Sequence, residues 1–263
     1  MRERAALTPV GYHDLRRDLG RPGCPVCRGA ARAAARFLEA VLWEMVTDPG
    51  VRRRFREAHG LCRDHALLLV REAARSAQAT GVAILYEDFL LHVRREVEEA
   101  AARARRRTGR RIPGRGVAEG RRAATGTALR AHAPCPACEP AERVAEAYLR
   151  LLAEAEPGSE LGRAARSEGR GLCLPHLVRG LALARSAADV ERLAEIFLRG
   201  EEELRRELEG FVRKHDHRFR GEPLSEAERT SWVRAVHRLV GAPLAREGTS
   251  RGGELGDPPR AAP

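Results

Sequence analysis

Cys24-Pro25-Val26-Cys27 is followed by Gly60-Leu61-Cys62-Arg63-Asp64-His65, with 34 residues between Cys27 and Cys62. The same phrase returns as Cys135-Pro136-Ala137-Cys138 and Gly171-Leu172-Cys173-Leu174-Pro175-His176, again with 34 residues between Cys138 and Cys173. All six cysteines belong to these motifs, and every ligand-type residue of the second copy lies 111 positions after its counterpart. Cysteine and histidine at these spacings point to two Cys3His metal sites. In a CPxC turn both thiolates can face one ion, and the proline helps to set the tight backbone course. Amide groups at the start of the following helix favour thiolate over thiol. A CxxH pair at a helix start adds two more ligands from one face, because positions i and i+3 are neighbours there. Taking each copy as self-contained, site one is Cys24, Cys27, Cys62 and His65, and site two is Cys135, Cys138, Cys173 and His176.

The repeat extends beyond the ligands. A shift of 111 also aligns Phe37 with Tyr148, Leu38 with Leu149, and Val93-Arg-Arg-Glu-Val-Glu98 with Leu204-Arg-Arg-Glu-Leu-Glu209, without a gap. The expected organisation is a first helical Cys3His unit over 8–102, an Arg-rich linker over 103–131 and a second unit over 132–220. A C-terminal helix over 221–245 and a tail over 246–263 complete it. Units this small gain from a structural metal.

Soft thiolates with imidazole favour zinc, two Zn2+ per chain, over iron–sulfur clusters or redox disulfides. Haem attachment is excluded, since neither CxxC is followed directly by histidine. Four protein ligands leave no open position for a substrate water, so the ions read as structural. The same thiolates offer a second use, as a redox-responsive zinc sensor whose oxidation releases the metal.

Apolar periodicity is helical almost throughout. Ala31, Ala34, Phe37, Leu38, Val41, Leu42 and Met45 form one stripe, broken at Asp48-Pro49-Gly50. A short helix over Val51–Ala58 should end at Gly60, and another begins near Arg63. Val82, Leu85, Phe89 and Val93 mark a further helix. The second copy repeats the pattern, with Ser186 as a cap, and Ser225-Glu-Ala-Glu228 predicts a capping box for a last helix that stops before Gly241. No alternating strand pattern is present. The fold class is all-α: tandem duplicated helical units, each with a Cys3His site at helix N-termini.

The formal charge is +11, with a single lysine, Lys214, and no asparagine. Such arginine richness follows from composition at least as readily as from a polyanionic ligand. The tract Arg103, Arg105, Arg106, Arg107, Arg110, Arg111, Arg115, Arg121 and Arg122 can contact phosphate backbones, but it lacks aromatic residues for base stacking. No segment approaches the length of a membrane span, and Met1–Asp18 holds no signal-peptide core. Cysteines confined to CxxC and CxxH suit a reducing cytoplasm.

His215-Asp216-His217 reads as the basic end of a long helix rather than an acid/base group. Trp43 and Trp232 read as core, His92 as packed or surface, and Glu96 and Glu207 as a repeated surface pattern. No phosphate loop, nucleophile elbow or Ser-His-Asp set is present. The duplicated CPxC and GxCxxH motifs, with Phe211-Val-Arg-Lys-His-Asp-His-Arg-Phe-Arg-Gly-Glu-Pro223, resemble a family of bacterial proteins of unknown function. Position 217 holds histidine where that family's closing motif leads one to expect an aromatic. The resemblance spans 8–242 apart from the arginine-rich linker. It implies a cytosolic, two-site, zinc-binding helical protein and brings no activity with it. The expected role is a non-enzymatic scaffold for a protein partner. A nucleic-acid-associated factor using Arg103–Arg122, or a redox-responsive zinc protein, is the alternative.

Overall fold

The computed structural model describes residues 9–21, 23–108, 131–167, 171–219 and 221–243, and every regular element among them is a helix. In order these are α1 (Pro9–Leu19), α2 (Pro25–Glu44), α3 (Pro49–Glu57), α4 (Arg63–Arg75) and α5 (Ala79–Thr108). Then follow α6 (Cys138–Glu154), α7 (Glu160–Ser167), α8 (Leu174–Leu183), α9 (Ala187–His215), a 3-10 turn (His217–Phe219) and α10 (Glu226–Val240). Moved back by 111 positions, α6 to α9 fall on α2 to α5 in the same order.

Local chemistry accounts for the boundaries. Asp48 caps α3 by accepting a hydrogen bond from the Val51 amide at 2.7 Å, and Pro49 follows it, where no backbone donor is needed. After α3 the chain turns through His59 at φ 51° and Gly60 at φ 91°, and the Gly60 amide donates to Phe55 O at 2.7 Å. Ser186 caps α9 through the Asp189 amide, and Ser225 with Glu228 forms the predicted capping box of α10, which ends at Gly241. Helices α4 and α8 carry a cysteine at the cap position instead, Cys62 and Cys173, each with extended backbone. That geometry places a thiol at each helix start.

Contacts gather the chain into two compact units: a continuous one over 34–140, and a discontinuous one made of 1–33 and 141–263. The core of the continuous unit holds Leu38, Val41, Leu68, Leu69 and Leu85 around three rings. Phe55 stacks between Phe37 and Phe89, at centroid distances of 6.5 and 5.3 Å. In the discontinuous unit, Leu15, Leu19, Leu149, Leu152, Leu193 and Ile196 form the core. A polar knot lies among them. Asp18, with no solvent exposure, accepts from Arg32 Nη1 at 3.1 Å and Nη2 at 2.5 Å, and Arg32 Nη2 also donates to Tyr148 Oη at 3.2 Å.

These units differ from the division at 102 and 132 that the repeat suggests. The reason lies in two long helices. Along the chain, α2 and α6 each begin in one unit and end in the other, so each CPxC belongs with the later part of the opposite repeat. The expected linker does not begin at 103, because α5 continues through Thr108 and carries Arg103, Arg105, Arg106 and Arg107; Arg110, Arg111, Arg115, Arg121 and Arg122, and the tail over 246–263, lie outside the described residues. Trp43 and Trp232 are not core: they are 60% and 38% exposed. Apolar spacing alone does not tell which flank of a broad stripe is covered.

Candidate metal centres

In the discontinuous unit, Cys24 and Cys27 at the start of α2 meet Cys173 and His176 at the start of α8, their ligand atoms all within 4.8 Å of one another. Cys27 Sγ lies 3.5 Å from Cys173 Sγ. His176 Nδ1 lies 3.6, 3.3 and 3.1 Å from the sulfurs of Cys24, Cys27 and Cys173. In the continuous unit, Cys62 and His65 at the start of α4 meet Cys135 and Cys138 at the start of α6. Cys62 Sγ is 3.9 Å from Cys138 Sγ. His65 Nδ1 is 3.1, 3.6 and 3.4 Å from Cys62, Cys135 and Cys138.

All eight sequence-predicted ligands therefore gather into two Cys3His clusters, but not in the predicted grouping. The CPxC of each repeat meets the CxxH of the other. Helix lengths explain why. From Cys27, the 20 residues of α2 carry the chain about 30 Å away, and the nine residues of α3 return only about 13 Å. In the second copy, α6 with 17 residues and α7 with eight leave a similar shortfall. The CxxH of each repeat takes its partner from the other repeat.

The donor set fits a tetrahedral ion. Bonds of about 2.3 Å to sulfur and about 2.05 Å to nitrogen would set S···S near 3.8 Å and S···N near 3.6 Å, close to the separations observed. Electrostatics gives the same answer. Burial pushes the Cys135 thiol up, but hydrogen bonds with His65 and from the amides of Cys62, Ala137 and Cys138 outweigh it and hold it at about 6. Burial and the charges at Cys135 and Cys62 push Cys138 up to about 12. In the other cluster, Cys24 is held well below the usual thiol value despite its burial, whereas hydrogen bonds with Cys173 and Cys24 drive Cys27 far above it. One thiolate forms at the expense of the next. A divalent cation removes that conflict, and either cluster can hold a metal ion.

The surroundings of the two clusters differ. A Cys3His site with a divalent ion keeps one net negative charge, and in the discontinuous unit Arg238 of α10 lies beside it. Burial pulls the Arg238 guanidinium below the usual arginine value, against the neighbouring charges of Cys24, Cys173 and Glu201. It lies over the Phe197 ring at 4.7 Å and donates to Phe197 O at 2.5 Å. A methyl group on Gly241 would lie 3.8 Å from Cys27 Sγ and 4.0 Å from Cys173 Sγ, so the end of α10 covers this cluster. Sequence reading found the helix end at Gly241 but not its task. Arg238 and Gly241 lie beyond the repeated stretch that ends at Glu209, and packing identifies them.

Among the other candidates, Asp216 caps α9 and pairs with Arg218 at 2.7 Å and with His217, which is 80% exposed. His215 Nδ1 lies 2.7 Å from Phe211 O, so this triplet is a helix end, as its composition implied. Glu96 and Glu207 are half-buried rather than on an open surface. Glu96 sits between His59 at 2.8 Å and His92 at 3.2 Å, and Glu207 holds Arg234 of α10 at 2.5 Å, both carboxylates mostly covered. No helix among the described residues is long and apolar enough to cross a membrane.

No curated protein and no solved structure matches the chain. A family model does match, over residues 19–245, which takes in both clusters and the α10 helix. The chain belongs to the family of unknown function DUF6062.

Proposed function

We propose that this protein binds two zinc ions, one in each crossed Cys3His cluster, and that the ions staple an all-α scaffold that engages a protein partner in the cytoplasm. The observation that carries the reading is the presence of two four-ligand sets, each closed by protein atoms alone and each drawing half its ligands from either repeat. Closed sets leave no position for substrate or activated water, which favours structural ions. When bound, zinc would supply the charge that lets three neighbouring thiolates coexist. The matching helix order at an offset of 111 supports a duplicated origin. Support for a partner comes from an apolar groove of about 340 Å3 on α4 and α5, lined by Ala66, Leu67, Val70, Val82 and Tyr86 with Arg63 at its edge. Leu67 and Val70 are 48% and 59% exposed there, the kind of surface that marks binding sites.

Native mass spectrometry of the purified full chain tests the metal reading, and two zinc ions per chain are expected. A Cys24→Ser/Cys173→Ser double variant removes two ligands from one crossed cluster and should keep one ion. Retention of none would mean that each repeat binds its own ion. Metal-free protein purified without chelator would overturn the zinc reading itself.

A further inference from the structure

The two clusters share a ligand set and differ in accessibility. In the discontinuous unit, Cys24, Cys27 and Cys173 are 8%, 9% and 2% exposed, beneath the end of α10 and beside Arg238. In the continuous unit Cys62 is exposed, and Cys135 and Cys138 are half-buried. We infer that the Cys62–His65–Cys135–Cys138 cluster is a thiol-modification site at which hydroperoxides release the metal, while the buried cluster keeps its ion. This rests on the zinc reading above and adds that only one of the two sites is reactive.

The chemistry starts at Cys62. A solvent-borne hydroperoxide can reach its sulfur, and zinc-bound thiolates retain nucleophilic character. The Cys62 sulfur attacks one peroxide oxygen; an S–O bond forms, the O–O bond breaks, and hydroxide leaves. Cys138 Sγ, 3.9 Å away, then attacks the Cys62 sulfur. An S–S bond of about 2.05 Å forms, the S–O bond breaks, and a second hydroxide departs. Two thiolates lose two electrons, the peroxide gains them, and the two hydroxides are neutralised by protons from the buffer acid. The cluster has then lost two of its four ligands and releases its ion. In the buried cluster Cys27 and Cys173 lie closer together, at 3.5 Å, so proximity alone would favour that pair. Access decides against it: sulfurs that present so little surface meet a dissolved oxidant far less often than the exposed Cys62.

The test is native mass spectrometry of the zinc-loaded full chain during a graded hydrogen peroxide titration, with disulfide mapping of each species. A one-zinc species carrying a Cys62–Cys138 disulfide should accumulate first, with loss of the second ion at least about tenfold slower. Alkylation of unoxidised protein by N-ethylmaleimide gives an independent reading and should mark Cys62 before any other cysteine. Simultaneous loss of both ions, a first disulfide between Cys27 and Cys173, or retention of both ions under peroxide that oxidises a free thiol would overturn the inference. Those outcomes leave two zinc ions in the untreated protein, whereas metal-free starting protein would overturn the zinc reading beneath it.

Discussion

At the scale of the residue, Gly60 and Gly171 occupy the same place in the two repeats and the same left-handed backbone, at φ 91° and 80°. Their surroundings differ. A Cβ at Gly60 would meet nothing within 4 Å, whereas at Gly171 it would lie 2.5 Å from the Arg238 guanidinium and 2.8 Å from Ile196 O. Gly60→Ala should cost about 1 kcal/mol, the left-handed penalty alone. Gly171→Ala should cost about 2–4 kcal/mol, because a clash with backbone adds to that penalty. Thermal unfolding of both variants in excess zinc checks the order, and equal shifts would contradict it.

The ligands make a second prediction at this scale. Without an ion, Cys138 at about 12 keeps its proton at neutral pH. Burial alone would lower His176, but Cys173 and Cys24 outweigh it and raise it to about 9, so it is protonated there too. Each must lose its proton to bind metal. Zinc affinity should therefore fall as pH falls, about tenfold per pH unit for each proton displaced. The ion binds the folded chain, so the stability it adds is fullest at the alkaline end and is lost toward acid. Calorimetric titration in buffers of different ionisation enthalpy should show protons released at both sites. Binding without proton release at pH 7 would contradict this.

At the scale of the element, the discontinuous unit is tied by a buried charged knot that joins the consecutive helices α1 and α2 to the distant α6. Asp18 on α1, Arg32 on α2 and Tyr148 on α6 meet in its interior. Removing one partner of a buried ion pair leaves the other uncompensated, so Asp18→Ala should cost about 3–5 kcal/mol. Tyr148→Phe, which removes a single hydroxyl from the same knot, should cost about 1 kcal/mol. Denaturant unfolding of the zinc-loaded protein measures both, and similar costs for the two would mean that the pair is not the organising contact.

At the scale of the whole molecule, the crossed ligands join segments on either side of residues 109–130. Each cluster takes two ligands from before that stretch and two from after it. Proteolysis within 109–130 should therefore leave two fragments that elute together on gel filtration while zinc is bound. A chelator should separate or unfold them, since the shared ions then no longer hold the halves. Two fragments that part with their zinc retained would show that each repeat closes its own site.

Local chemistry made much of this protein legible from residues alone. Cysteine and histidine spacing named all eight ligand positions, because a CPxC turn and a CxxH helix start are short-range geometries contained in four residues each. Ser186 and Ser225 marked helix starts for the same reason, since a side chain that binds its own backbone needs no distant partner. Tertiary structure decided what depends on the reach of the chain. Two long helices outrun the short ones that follow, so each Cys-Pro-x-Cys turn closes on the opposite repeat, although the repeat itself implied the reverse. It also decided which cluster is buried. The end of α10, with Arg238 and Gly241, covers Cys27 and Cys173 and leaves no repeated signature to read. Identical ligand motifs thus sit in unequal environments, because exposure is set by whatever packs above a residue and not by the residues beside it in sequence.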